Sequence, residues 1–453
     1  MPTLAELLAR ERAAFEAARP RSRALAERAR RHFPHGVPMH WMRDWATPFP
    51  LFVDRAVGAT LIDVDGHEYA DFCLGDTGAM FGHSPPAVAA AIAGQAAQGL
   101  TCMLPSGPVA EVGERLAALF GLPWWQMAQT ATDANRAVLR HCRAITGRPK
   151  ILVFNHAYHG TVDETLAVMA PDGSTVPRPG QIGRIADPAR STVVVEFNDL
   201  PALRAVLARG DIACVLAEPV MTNAGMVLPE AGFLPALREA CDATGTLLAI
   251  DETHTLSSGL GGHARQVGLR ADLLVCGKAI AGGLPCAVFG YSDDVAVRMA
   301  HAEARREPGH SGLGTTLSAN PLALAALHAS LTQVMTAEAY AYMERGARRL
   351  QVGLESEFAA RGLAWQVSRV GARLEFGRAP APRNGSQSLA AIDHALESAL
   401  HLHLLNRGCL LTPFHNMMLV SPATTDAQID GLLAALAQAL EVFAGVLPGR
   451  AGA

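Results

Sequence analysis

The sequence predicts an α/β protein built on a mainly parallel sheet, and three observations carry that prediction. Between about residues 85 and 290, helical patterns alternate with short apolar runs: Ile151-Leu-Val-Phe, Thr192-Val-Val-Val, Ile212-Ala-Cys-Val-Leu, Leu247-Leu-Ala-Ile and Leu273-Leu-Val-Cys. The runs lack polar alternation, as strands covered by helices on both faces require. The chain has 453 residues, 50% of them hydrophobic, which is material for a large core and more than one domain.

Residues 1–50 read as a charged amphipathic helix followed by an irregular loop, His35-Gly-Val-Pro-Met-His-Trp-Met-Arg-Asp-Trp. Leu61-Ile-Asp-Val-Asp-Gly-His-Glu-Tyr-Ala-Asp-Phe reads as a hairpin turning at Asp65-Gly66. A large α/β domain is expected over 51–325, with helix over about 322–360. The last hundred or so residues alternate strands, near 372–376 and 417–421, with helices, near 388–406 and 425–445. They form the expected smaller α+β domain, 326–453, which residues 1–50 would join. The Gly/Pro-rich stretch at 378–385 reads as a surface loop.

The 38 basic and 42 acidic residues give a net charge of -4 and form no long blocks, which argues against nucleic acid or an anionic membrane as partner. A small-molecule substrate is the better expectation. The N-terminus lacks the apolar stretch of a secretory signal, and Glu218 and Pro219 interrupt the apolar run before them, so a cytoplasmic protein without membrane spans is expected. The eight cysteines are widely spaced among apolar neighbours and read as buried free thiols. No Cys/His spacing supports a metal site.

Lysine occurs only at Lys150 and Lys278. An Arg guanidinium stays protonated, whereas a Lys amine can lose its proton and attack an aldehyde, so any Schiff-base chemistry has two candidates. Lys278 follows an apolar strand and precedes Gly282-Gly283, in a setting that admits a bulky ligand. Asp251 also stands at a strand's carboxyl end, where open α/β sheets collect ligands. Gln129-Thr-Ala-Thr-Asp-Ala-Asn opens a helix over 134–146, and free amides with hydroxyls at such a start suit a phosphate. Tyr158-His-Gly follows the strand at 151–154 and offers an aromatic face for a flat ring. Each has a plainer reading: a loop-end cation, a capping Asp, an N-cap and a core tyrosine.

In chain order these segments resemble the class III (fold type I) aminotransferases that depend on pyridoxal 5'-phosphate (PLP), and within them the glutamate-1-semialdehyde aminomutase-like group. The resemblance runs from about Pro34 to the C-terminus. Gly82-His-Ser-Pro, Tyr158-His-Gly, Glu218-Pro-Val, Asp251-Glu-Thr, Gly277-Lys-Ala-Ile-Ala-Gly-Gly-Leu-Pro and Thr315-Thr-Leu-Ser-Ala-Asn-Pro carry it. Gln129-Thr-Ala-Thr-Asp-Ala stands where Asn-Ser-Gly-Thr-Glu-Ala is usual, which adds a methyl at Ala131. Thr253 replaces the usual Val.

The resemblance implies the PLP fold type I and a catalytic pair: Lys278 carries the cofactor and shuttles a proton, and Asp251 binds the ring nitrogen. It implies that Tyr158 stacks on the ring, Thr253 packs on its other face, and Thr130, Ala131 and Thr132 hold the phosphate. His159, Glu218, Asn223 and Thr315 complete the cofactor set, and Thr316 reaches the neighbouring subunit's phosphate, which implies a homodimer with shared active sites. The loop over 34–45 would border the substrate, with His40, Trp41, Met42 and Arg43 joined by Phe414 and His415, and Arg43 binding its carboxylate. This mouth fits an apolar or aromatic amino acid, including a β-amino acid.

Thr412-Pro-Phe-His-Asn stands where aminomutases have a Phe-Glu-Ala-Gly-like segment, so His415 replaces an acid. The sequence therefore favours an aminotransferase working between an amino acid and a keto acid by a ping-pong mechanism. The alternatives are an aminomutase of the glutamate-1-semialdehyde type or an amino acid racemase. A nicotinamide dehydrogenase would want a G-x-G-x-x-G between an early strand and helix, which is missing. A non-enzymatic protein of the same fold is disfavoured by the presence of both Lys278 and Asp251.

Overall fold

The computed structural model describes residues 2–184, 186–413 and 415–447. The chain forms two compact units. One comprises Pro85–Tyr340 and Pro382–Ala390; the other comprises Met1–Ser84, Ala341–Ala381 and Ala391–Ala453. Residues 51–84 thus lie with the N- and C-terminal segments, and 326–340 with the large unit, so these boundaries differ from those at 50/51 and 325/326.

The large unit is organised by a seven-stranded sheet in the spatial order Trp124–Ala128, Ala287–Tyr291, Leu273–Cys276, Leu247–Asp251, Ile212–Ala217, Lys150–Phe154, Thr192–Val195. Ala287–Tyr291 pairs antiparallel with both neighbours and the remaining pairings are parallel, so six strands share one direction. Side chains alternate across a strand, and here both faces are dry. Ile151, Val153, Cys214, Leu216, Leu247 and Ala249 enter one apolar cluster with the helix Ala131–Thr146. Leu152, Phe154, Val215, Ala217, Leu248 and Ile250 enter another, with the helices Leu200–Leu207 and Phe233–Thr244. That two-sided burial is why the strands read as unbroken apolar runs.

In the second unit the N-terminal segment is two helices, Leu4–Ala18 and Pro20–Ala29, rather than the single expected helix. Pro20 has no N–H to continue the first helix and suits the first turn of the next. The hairpin forms from Thr60–Asp63 and Glu68–Asp71 in a four-stranded sheet with Val53–Val57 and Cys409–Leu410. A three-stranded sheet pairs Arg373–Arg378 with Trp365–Val370 and Met417–Leu419. It packs with the helices Ala337–Ala360, His394–Leu405 and Asp426–Val442 into one apolar cluster that includes Leu350, Leu374, Leu400, Met418 and Leu436.

Seven cysteines are free and buried, while Cys102 is exposed, in contrast to the expectation for all eight. Among the described residues, no helix is long and apolar enough to cross a membrane. No group of three or more His, Cys, Asp or Glu among them could hold a metal ion.

Candidate active site

Five parallel strands end at one edge of the large unit's sheet and deliver its chemistry there. Trp124–Ala128 leads to Gln129 and Thr130, Lys150–Phe154 to Tyr158 and His159, and Ile212–Ala217 to Glu218. Leu247–Asp251 ends on Asp251 itself, and Leu273–Cys276 leads to Lys278. The register pairs Asp251 with Val275, which sets Lys278 just past Asp251's level on the adjacent strand.

Asp251 is buried, at 4% exposure. Its Oδ2 accepts from Asn135 Nδ2 at 2.9 Å and lies 3.0 Å from His159 Nδ1, and its Oδ1 accepts from the Thr253 amide at 3.1 Å. Burial pushes this carboxyl up, but the bonds from His159, Thr253 and Asn135 outweigh it and hold the group at about 2. Asp251 is therefore a fixed anion at neutral pH. Beside it, Glu218 is also buried; it accepts from the Thr222 hydroxyl and from Asn223 Nδ2 at 3.4 Å. Burial raises its carboxyl above the ordinary range, against the opposing pull of His159.

Lys278 is partly buried, with its Nζ 2.8 Å from His254 Nε2. Its φ of 50° lies in the left-handed region. Such a backbone costs a non-glycine residue about 1 kcal/mol or more, and strain of this kind gathers at functional sites. Gly277, immediately before it, leaves little room for a side chain, because a Cβ there would stand 3.0 Å from the Ala131 methyl, a tight contact. The methyl that Ala131 adds is thus accommodated against a glycine.

The helix Ala131–Thr146 starts where the sequence places a phosphate site, but its hydroxyls are already employed. Thr130 is the N-cap: its Oγ1 accepts from the Asp133 amide at 3.2 Å and donates to Asp133 Oδ2 at 2.8 Å. Thr132 Oγ1 accepts from the Thr161 amide at 3.1 Å, a contact that needs Gly160, where a Cβ would overlap Thr132. First-turn amides of a helix lack intrahelical acceptors and remain as anion donors. Thr315 Oγ1 donates to Gln129 Oε1 at 3.2 Å, and Thr315 and Thr316 line a cavity of about 760 Å³ with Met103, Leu104 and Met127.

Three buried polar atoms around Asp251 lack hydrogen-bond partners among the described residues: Thr253 Oγ1, His159 Nε2 and Asn135 Oδ1. Orphaned groups of this kind are costly unless something else meets them. Together with a fixed carboxylate and a primary amine at adjacent strand ends, they fit a flat, polar, cationic-ringed aldehyde such as PLP.

The substrate residues named from the sequence lie in the other unit. His40, Trp41 and Arg43 are exposed on the turn His40–Arg43. Arg43 Nη1 is 2.8 Å from His35 Nε2, and its Nε is 3.7 Å from Asp44. His415 is buried and paired with Glu375, its Nδ1 2.9 Å from Oε2. Burial pulls the His415 imidazole down, but Glu375 dominates and raises it. Phe414 lies outside the described residues.

Three residues of the site went without a role in the sequence. Asn135 stands inside a quoted motif and His254 directly after one, yet only the fold brings His254 to Lys278 and Asn135 to Asp251. Arg178 is remote in sequence; its guanidinium carbon is 5.7 Å from the Tyr158 ring centroid, and its Nη1 donates to the Ala157 carbonyl at 3.0 Å. No local signal marked it.

The chain belongs to the class-III aminotransferases, whose family model matches residues 41–440. The cofactor that goes with this membership is PLP. Glutamate-1-semialdehyde 2,1-aminomutase of Roseiflexus castenholzii is 34% identical over 427 residues, covering 93% of this chain and 97% of that one. Among solved structures, a glutamate-1-semialdehyde aminomutase from Pseudomonas aeruginosa PAO1 is 46% identical with a TM-score of 0.94, covering 97% of this chain and 98% of its own. A β-phenylalanine aminotransferase from Variovorax paradoxus is 31% identical with a TM-score of 0.87, covering 99% and 100%.

Proposed function

We propose that this enzyme moves an amino group within one molecule, as an aminomutase of the glutamate-1-semialdehyde type, with Lys278 and Asp251 as its catalytic pair. This reverses the preference drawn from His415, which is buried against Glu375. The observation that carries the chemistry is the fixed carboxylate of Asp251 beside the amine of Lys278 at the strand ends. The preference for the mutase follows the relatives, since those at 34% and 46% identity bear that name.

Bound PLP supplies an electron-withdrawing ring that stabilises negative charge at a carbon losing its proton. Lys278 Nζ would hold the cofactor through its aldehyde carbon and, when free of it, would carry a proton between the substrate carbon and that cofactor carbon, on the two sides of the nitrogen they share. Asp251 would hold the ring-nitrogen proton, and His159, Asn135 and the Thr253 amide hold Asp251. Tyr158 and Thr253 would hold the ring between them. The helix start at Thr130, Ala131 and Thr132 would hold the phosphate, and Glu218, Asn223 and Thr315 would complete the pocket. Arg43, with His40 and Trp41 beside it, takes the substrate carboxylate. A homodimer belongs to the same reading: Met103 and Leu104 are 76% and 71% exposed in the cavity that Thr316 lines, which suits a partner surface receiving Thr316.

Transamination of a β-amino acid is the second reading, supported by the Variovorax paradoxus relative. The two separate cleanly in one experiment, which presents either glutamate-1-semialdehyde or β-phenylalanine to purified holoenzyme without any acceptor. Catalytic turnover of the semialdehyde, its amino group passing from carbon 2 to carbon 1, supports the mutase. Consumption of β-phenylalanine that stops at one amino group per site supports the transaminase.

A further inference from the structure

His254 is 6% exposed, and its Nε2 stands 2.8 Å from Lys278 Nζ. An ammonium has three donors and no acceptor, so a protonated Lys278 requires Nε2 to present its lone pair, with the imidazole proton on Nδ1. Glu252 and Thr253 separate His254 from Asp251 in sequence, and the Thr253 amide is tied to Asp251 at 3.1 Å. The His254 backbone is therefore anchored at the strand end that carries the fixed anion.

We propose that His254 is a positioning residue for Lys278, accepting a hydrogen bond from Nζ and so aiming the amine and stabilising the positive charge it gains during proton transfer. The inference rests on the reading of Lys278 as the cofactor lysine. When Lys278 takes a proton, the substrate C–H bond breaks, its electron pair stays with the substrate, and a new N–H bond forms on Nζ. One N–H of the resulting ammonium points at His254 Nε2, and nothing is oxidised.

The test compares two amides of different reach. Gln at this position places its carbonyl oxygen near the place of the imidazole Nε2, and Asn falls short by about one carbon. In His254→Asn the exchange of the substrate's reacting hydrogen with deuterated solvent should slow about tenfold to a hundredfold, with KM changed less than about twofold. The rate at which apoprotein and PLP form their covalent link, followed by absorbance, should fall in parallel. His254→Gln should recover most of both rates. Wild-type exchange and linkage rates in His254→Asn would overturn the proposal, as would equal impairment of both variants together with lowered thermal stability, the mark of a packing role. Failure of the lysine reading itself would appear separately, as an absence of borohydride-fixed cofactor on Lys278 in the unmutated protein.

Discussion

His159 Nδ1 lies 3.0 Å from Asp251 Oδ2, and both side chains are sealed from solvent. The pair explains how a carboxyl whose burial favours the neutral form is nevertheless held at about 2. His159→Phe keeps the ring volume and removes the bond, so the Asp251 carboxyl should move up and its grip on a pyridinium proton should weaken. We expect proton abstraction to slow about tenfold, a loss of about 1.4 kcal/mol. Single-turnover absorbance traces on the purified variant check this, and unchanged traces would assign the anion's stability to Asn135 and Thr253 alone.

Removing the charge itself should cost more. Asp251→Asn leaves an amide nitrogen facing one of three donors, from Asn135, His159 or Thr253. A thermal-stability loss of about 1–3 kcal/mol is expected from that conflict. Proton abstraction should slow about a hundredfold or more as the electrostatic support vanishes. Normal turnover would mean that the ring nitrogen is held elsewhere.

Arg43 gives a cleaner experiment because it is exposed. Its side chain is 49% accessible and its contact with Asp44 is a surface pair of small energetic weight. Arg43→Ala should therefore leave the melting temperature within about a degree or two, a change below about 0.5 kcal/mol. Loss of carboxylate binding should cost about 2–3 kcal/mol, read as a raised KM for amino acids. Equal effects on amines without a carboxylate would assign Arg43 to loop order.

Acid sensitivity should trace to Glu11, on the helix Leu4–Ala18. It lies 2.8 Å from His403 Nδ1, accepts from Asn406 Nδ2 at 2.8 Å and from Arg407 Nη1 at 3.3 Å. Burial raises this carboxyl, and the His403, Asn406 and Arg407 contacts more than reverse it, lowering it from 4.5 to about 2. A carboxyl depressed on folding stabilises fully above its unfolded value and loses that stabilisation as pH falls through the folded one. Unfolding curves of wild type and Glu11→Gln should differ by about 3 kcal/mol above pH 5 and converge toward pH 2. A constant difference across that range would contradict the linkage.

The parallel sheet was legible because its strands are buried on both faces, and Lys278 because lysine is so scarce in this sequence. Asp251 was legible from its place at a strand end. The break at Pro20 passed unnoticed because the amphipathic pattern runs through it, and the exchange of 51–84 between units is invisible where composition does not change. Arg178 and Asn135 escaped because their partners, Tyr158 and Asp251, become neighbours only when the sheet assembles. Arg43 was visible as a cation in a loop, yet its contacts with His35 and Asp44 depend on a turn that no periodicity announces.

The central claim, that Lys278 is the cofactor-bearing lysine, is tested most directly by reducing the PLP-loaded protein with borohydride and mapping the peptides. One phosphopyridoxyl group per chain on the Lys278 peptide is the predicted result, with Lys150 unlabelled. Lys150 pairs with Asp211 at 3.1 Å at the start of its strand, the end away from the site. Label on Lys150, or on neither lysine, would contradict the account.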